Sequence, residues 1–183
     1  TCALPILWRC AWAITSRPGI PCEPEGAPVV KVRSFSHVGL TVRDFNQTVK
    51  FYADVFGCPL VGVSDTPPDR IRSFFGVDHP SPSLKIGWIR VPGGGVLEIF
   101  HFTPQQPMAD VPWNRVGLTH FSFNVRNLKK WHAYLKAKGV EIVSEPERSP
   151  RGHSFFFVKD CDGNLIRSEE HTSELQSHHD LVC

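Results

Sequence analysis

The sequence predicts an α+β fold of two tandem βαβββ modules, with the helices on the outside of the sheet. Three observations predict it. Strict alternation of apolar and polar residues over His37–Val42 recurs over His120–Val125, 83 residues later. Each alternating run leads into a capped segment of helical period. Each helix is followed by short β-type runs broken by Gly-rich turns. One offset kept through strand and helix alike marks an internal duplication.

In the first module, residues 32–103, Val38, Leu40 and Val42 face a helix layer, while His37, Gly39 and Thr41 face the other way. Asp44 stands where the N-cap of a helix over Phe45–Phe56 belongs, and Phe45, Val49, Tyr52, Val55 and Phe56 form its apolar stripe. Gly57 ends it. Pro59–Val63 is a short strand. Ser64–Ser83, rich in Pro and Asp, reads as a long loop with one helical turn near Ile71, Phe74 and Phe75. Lys85–Val91 and Val96–Phe102 are strands joined through Pro92-Gly93-Gly94-Gly95.

The second module, residues 115–166, repeats the order. Asn127 caps a helix carrying Leu128, Trp131 and Leu135, and Gly139 stops it. Val140–Val143 is the counterpart of Pro59–Val63. Ser154–Val158 and Leu165–Ile166 are the last strands, turned by Asp160-Cys161-Asp162-Gly163-Asn164. Residues 29–166 thus read as one domain.

The ends differ from this middle. Residues 1–28 carry Pro5, Pro18, Pro21, Pro24 and Pro28 with no sustained period, and read as an artefactual or disordered extension. Arg167–Cys183, RSEEHTSELQSHHDLVC, matches the translation of a common short-read sequencing adapter. Its fixed bases give Arg167 through Ser177, its variable index covers His178 and His179, and its remaining fixed bases give the end of Asp180 through Cys183. Such a segment was never selected to bury anything. It is expected to pack poorly, with at most its first residues extending the last strand, and the natural chain is expected to continue differently after Ile166.

Charge and cysteine usage exclude several function classes. Lys and Arg total 20 against 18 Asp and Glu, with no run of five like charges, so nothing points to nucleic acid. The apolar runs at 3–7 and 11–14, separated by Arg9, are too short to span a bilayer. Cys58 and Cys161, the thiols within the domain, have no CxxC partner, which excludes a zinc ribbon or redox motif and reads as reduced cysteine. The expectation is a soluble, cytoplasmic protein.

From Val32 to Ile166 the chain resembles the vicinal-oxygen-chelate superfamily, also called the glyoxalase/bleomycin-resistance/dioxygenase superfamily. The residues that carry the resemblance are His37-Val38-Gly39-Leu40-Thr41-Val42, Phe51-Tyr52-Ala53-Asp54-Val55-Phe56-Gly57, Leu97-Glu98-Ile99-Phe100, Thr119-His120-Phe121-Ser122-Phe123 and Asp160-Cys161-Asp162-Gly163-Asn164-Leu165-Ile166. The last departs from the family's D-P-D-G-N pattern by Cys161. The resemblance implies a cupped mixed sheet around a divalent metal (Ni, Zn, Co, Mn or Fe) that binds the oxygens of a small-molecule substrate. By family position the metal ligands are His37, Glu98, His120 and a carboxylate directly after Ile166.

Alternation independently puts His37, Glu98 and His120 on the face away from the helices. Two imidazoles and a carboxylate suit a first-row metal. The fourth position is Arg167, whose guanidinium cannot ligate a cation. Glu98 favours glyoxalase I-like chemistry, a lyase or isomerase that moves a proton next to a metal-bound carbonyl, with Glu98 the catalytic carboxylate left in this chain. The alternatives are an extradiol-type dioxygenase and a metal-free bleomycin-resistance-like binding protein. His101 is out of phase with Glu98. Arg90, Arg151 and His153 read as rim charges, and His79 and His132 as surface residues. Phe74, Phe75 and Trp113 read as a hydrophobic wall, a cover for the core or a homodimer contact.

Overall fold

The computed structural model describes residues 32–108 and 112–171, so the expectations for 1–28 and 172–183 lie outside the described residues. Strand β1 is His37–Thr41 and helix α1 is Phe45–Phe56. Next come β2 (Leu60–Thr66), α2 (Pro68–Phe75), β3 (Ser83–Arg90) and β4 (Val96–Thr103). The second module is β5 (His120–Asn124), α3 (Leu128–Ala137), β6 (Glu147–Arg148), β7 (Ser154–Lys159) and β8 (Leu165–Glu170). Each module folds its own mixed four-stranded sheet, in the orders β1-β4-β3-β2 and β5-β8-β7-β6. In both, the first strand pairs parallel to the last and the others pair antiparallel.

Local chemistry explains the helices. The Asp44 carboxylate accepts from the Gln47 amide at 2.8 Å, and the Asn127 side chain accepts from the Lys130 amide at 3.1 Å. Gly57 adopts φ 66° at the end of α1, a left-handed conformation that a side chain would strain. The first side chain of α1, Phe45, packs against Gly87, where an added Cβ would lie 2.8 Å from the Phe45 ring. That close approach seats α1 on the first sheet.

One core joins the two modules. Leu40, Val42, Tyr52, Ile89, Leu97 and Ile99 of the first pack with Leu128, Leu135, Phe156, Val158 and Ile166 of the second. Its buried apolar surface is the main stabilising term. Across the same boundary runs a buried polar clamp. Asp160 accepts from the Tyr52 hydroxyl at 2.8 Å and from the amides of Asp162 and Asn164. Asp162 accepts from the Thr48 hydroxyl at 3.1 Å and the Arg43 Nε–H at 3.0 Å. The turn of the second module thereby grips α1 of the first. Burial, followed by the nearby Asp160 carboxylate, pushes the Tyr52 hydroxyl well above its usual pKa.

Two expectations change, and a third feature follows the sequence reading. Helix α2 has two turns where the sequence suggested a single turn in a loop: Pro68 opens it, and Ile71 is its fully buried residue. The Phe75 ring meets Phe100 and Phe102 edge-on, so α2 lies on the face of the first sheet opposite α1. Val140–Val143 forms no strand; Ile142 makes only an isolated bridge to Val158, and the sheet edge is the two-residue β6. The last strand runs past Ile166 to Glu170. Backbone pairing with β5 and β7 carries Arg167–Glu170 into the sheet, as pairing tolerates most side chains, and Ser168 is fully buried beneath the Trp131 Nε1–H, 3.0 Å away. These four are the first residues after Ile166, the part of the segment that the sequence allowed to extend the strand.

Candidate functional site

Each sheet has one face turned away from its long helix, and alternation sets what projects there. On the first sheet these are His37, Gly39 and Thr41 of β1, Glu98 and Phe100 of β4, and Ile86 and Trp88 of β3. Glycine makes room for the large side chains. The Phe100 ring lies 3.2 Å from where a Cβ on Gly39 would sit, and Trp88 lies 3.0 Å from one on Gly62. Glu98 is the focus of the face. One carboxylate oxygen accepts from the Trp88 Nε1–H at 3.0 Å, and the other lies 3.3 Å from His37 Nε2. The His37 side chain is 49% exposed and Glu98 17% exposed, so the pair opens to solvent from a partly shielded base. The Ser36 hydroxyl lies 3.1 Å from the other His37 ring nitrogen.

The equivalent face of the second sheet carries His120 and Ser122 of β5, Arg167 and Glu169 of β8, and Phe155 and Phe157 of β7. Register settles the correspondence. Glu98 stands opposite Gly39, and Arg167 stands opposite Ser122, which follows Gly39 by the same 83 residues. Arg167 therefore occupies the place in its module that Glu98 holds in the first. Its guanidinium is bound on several sides: Nη2 is 3.0 Å from Glu169 and 2.6 Å from His153 Nε2, and the group stacks 4.3 Å above the Phe155 ring. His171 also contacts Glu169, at 3.3 Å. Burial first, and the Arg167 cation second, hold His120 below its ordinary pKa; the same causes lower His153.

His37 and Glu98 therefore meet, but the expected convergence of His37, Glu98 and His120 on one point is not found. Among the described residues no group of three His, Cys, Asp or Glu side chains could hold a metal ion. The reason is lateral. Alternation fixes the face a side chain leaves from, not its distance from a residue on another sheet. His120 instead sits among rings, 5.1 Å from Phe157 and 5.9 Å from Trp113 between centroids. His101 points to the other face, its Nδ1 3.3 Å from the Val42 carbonyl oxygen. His153, expected as a rim charge, belongs to the Arg167 cluster, and Phe75 packs on the Glu98 face. Sequence reasoning missed Trp88. Its signal was available, since Trp88 lies on the same sheet face as Glu98 once the hairpin register is drawn.

A divalent metal tests poorly against these groups. His37 and Glu98 offer one nitrogen and one oxygen donor side by side, but no third donor joins them, and the register equivalent of Glu98 is a cation. The donor set of this chain does not fit a three- or four-ligand centre.

Comparison with known proteins agrees with the fold. The profile of the Glyoxalase/Bleomycin resistance protein/Dioxygenase superfamily matches residues 34–167. A lactoylglutathione lyase of Arabidopsis thaliana is 28% identical over 133 residues, 72% of this chain; the chain spans 42% of that protein's length. A 2-epi-5-epi-valiolone epimerase of an Actinomyces species is 29% identical over 115 residues, 61% of this chain and 62% of that protein. The crystal structure of a glyoxalase family protein from Bacillus cereus superposes with a TM-score of 0.66 at 21% identity, covering 77% of this chain and 95% of that one. Among the described residues no helix is long and apolar enough to cross a membrane.

Proposed function

Because the chain belongs to the glyoxalase/bleomycin-resistance/dioxygenase superfamily, we propose that it derives from a small-molecule lyase or isomerase of the glyoxalase I type, acting on the open face of the first sheet. The observation that carries this reading is Glu98, held by the Trp88 N–H and set beside His37. A carboxylate anchored through one oxygen, with the other beside the half-exposed His37 ring on the open face, is arranged to take a proton from a carbon next to a carbonyl and return it to the neighbouring one. His37 faces the same space and can donate a hydrogen bond to a substrate oxygen.

The metal belongs to the same proposal but not to this chain as it stands. His37 and Glu98 are two of its proposed ligands and already stand together; the proposed His120 and a carboxylate at position 167 of the natural protein would have to join them from the second sheet. With Arg167 there, no step of the reaction is assigned to a metal. The epimerase and lyase among the similar proteins support proton transfer over ring cleavage. The test is turnover of a hemithioacetal by Arg167→Glu in the presence of Ni or Zn, with loss of activity on Glu98→Gln. Oxygen-dependent cleavage of a catechol instead points to the dioxygenase, and tight ligand binding with neither turnover nor metal points to a sequestering protein.

A further inference from the structure

A cavity among the described residues lies away from the His37–Glu98 pair. It is about 840 Å³ in volume and is lined chiefly by apolar groups, among them Trp113, Leu118, Phe121 and Leu165, with the His120 ring at one side. Neither His37 nor Glu98 borders it. Two of its lining rings share a support: Trp113 meets Phe157 edge-on at 4.9 Å, and His120 meets Phe157 edge-on at 5.1 Å. Its rim keeps apolar surface in water, with Leu118 66% and Trp113 51% exposed. Solvated apolar side chains gathered around a concavity of this size mark a surface that binds something.

Charge narrows the ligand. The lining contains two permanent cations, Arg115 and Lys159, and no carboxylate among its described residues. Lys159 is neutralised by Glu141 at 2.6 Å. Arg115 makes no ion pair with any described residue. A guanidinium without an ion pair among the described residues, lining an aromatic cavity, matches a ligand with an apolar body and one anionic end. We propose that this cavity is a binding site for a small apolar anion, an aryl or alkyl carboxylate or sulfonate.

The probe is anilinonaphthalene sulfonate, titrated into the whole protein with EDTA present, so the outcome is independent of the metal reading. Saturable one-to-one binding is expected, displaced by octanoate far better than by octanol. Trp113→Ala should weaken it about tenfold, the scale of a lost aromatic contact. Arg115→Gln should weaken the anion about fivefold while leaving octanol displacement unchanged, the scale of a solvent-exposed ionic contact. Lys50→Ala, on the exposed side of α1, should change nothing, and Trp113→Phe should restore most of the affinity if the alanine variant folds poorly. Equal displacement by octanol and octanoate overturns the proposal. So does dye binding indifferent to both substitutions, or a Trp113→Ala variant that converts a dimer to a monomer, which makes the rim a subunit contact.

Discussion

The two modules carry the same strands in the same order, yet they treat equivalent positions in opposite ways. Helices α1 and α3 start in register, Phe45 matching Leu128 at the common offset of 83. On α1 the inward positions Thr48 and Tyr52 are polar and receive the carboxylates of the β7–β8 turn. On α3 the matching positions are Trp131 and Leu135, and the matching turn is Pro92-Gly93-Gly94-Gly95, with no side chain to offer but proline's. The open faces diverge as well: Glu98 lies between His37 and Trp88, whereas Arg167 is locked to Glu169 and His153. Duplication supplies the frame twice, and the chemistry is then free to differ at each copy.

The sharpest way to break this comparison is at the clamp. Asp160→Ala strands the buried Tyr52 hydroxyl, Asn164 side chain and two amides, and should cost about 3–5 kcal/mol. Pro92→Ala, in the exposed counterpart turn, should stay within about 0.5 kcal/mol. Urea unfolding of both variants checks the asymmetry, and equal losses would remove it. Second in size is Arg167→Glu, which makes the second face carry the residue type of the first. Divalent-metal affinity by isothermal titration with Ni, Zn, Co and Mn should rise on the order of a hundredfold, since the exchange removes a repelling cation and adds an anionic donor. Equal and negligible binding by both chains counts against the four-ligand reading and moves the metal-free binding protein ahead.

A smaller effect tests whether Glu98 is held or merely adjacent. Trp88→Phe keeps the ring over Gly62 and removes the N–H, so stability should fall by about 1–2 kcal/mol and Glu98→Gln should add little to the loss. The smallest effect is in pH. His120 is held below its ordinary value, so its contribution is complete above the unfolded value near 6.5 and is lost as pH falls through the lower folded value. Between pH 7 and pH 5 the parent should lose less than about 1 kcal/mol more stability than His120→Gln, measured by urea unfolding at both pH values. A loss in the variant as large as the parent's assigns the pH dependence elsewhere.

What the sequence disclosed, and what it hid, divides along a physical line. The caps Asp44 and Asn127, the stop at Gly57 and the faces of His37, Glu98 and His120 are decided by neighbours within a few residues, and each was legible. Helix α2 was not, because two prolines and an eight-residue length gave almost no period to detect, and only Ile71 is buried to anchor it. Val140–Val143 carried strand-type residues, but it meets β7 only through the single Ile142–Val158 bridge and its flanking hydrogen bonds, too brief a pairing to make a strand. The clamp escaped because Tyr52 and Asp160 are 108 residues apart, and nothing local to either announces the other. That no third donor joins the His37–Glu98 pair among the described residues escaped for the same reason: it depends on how residues far apart in the chain are placed. The extension of β8 through Arg167–Glu170 shows how a strand's edge recruits whatever backbone follows it, since the ladder reads backbone rather than side chain.

The clamp also sets an order of events during synthesis. When α1 has left the ribosome, the Tyr52 hydroxyl faces inward with its Asp160 partner still untranslated, while Thr48 has only the Asp44 carbonyl of its own first turn. The first module can form its sheet, but α1 cannot dock with its polar groups satisfied until the Asp160–Asp162 turn emerges more than a hundred residues later. Until then the apolar stripe of α1 is a surface on which chaperones or other nascent chains can act. The ancestral halves of this duplicated chain are therefore no longer separable proteins: a message stopping at the end of β4 would encode a module that lacks the side chains its own helix needs.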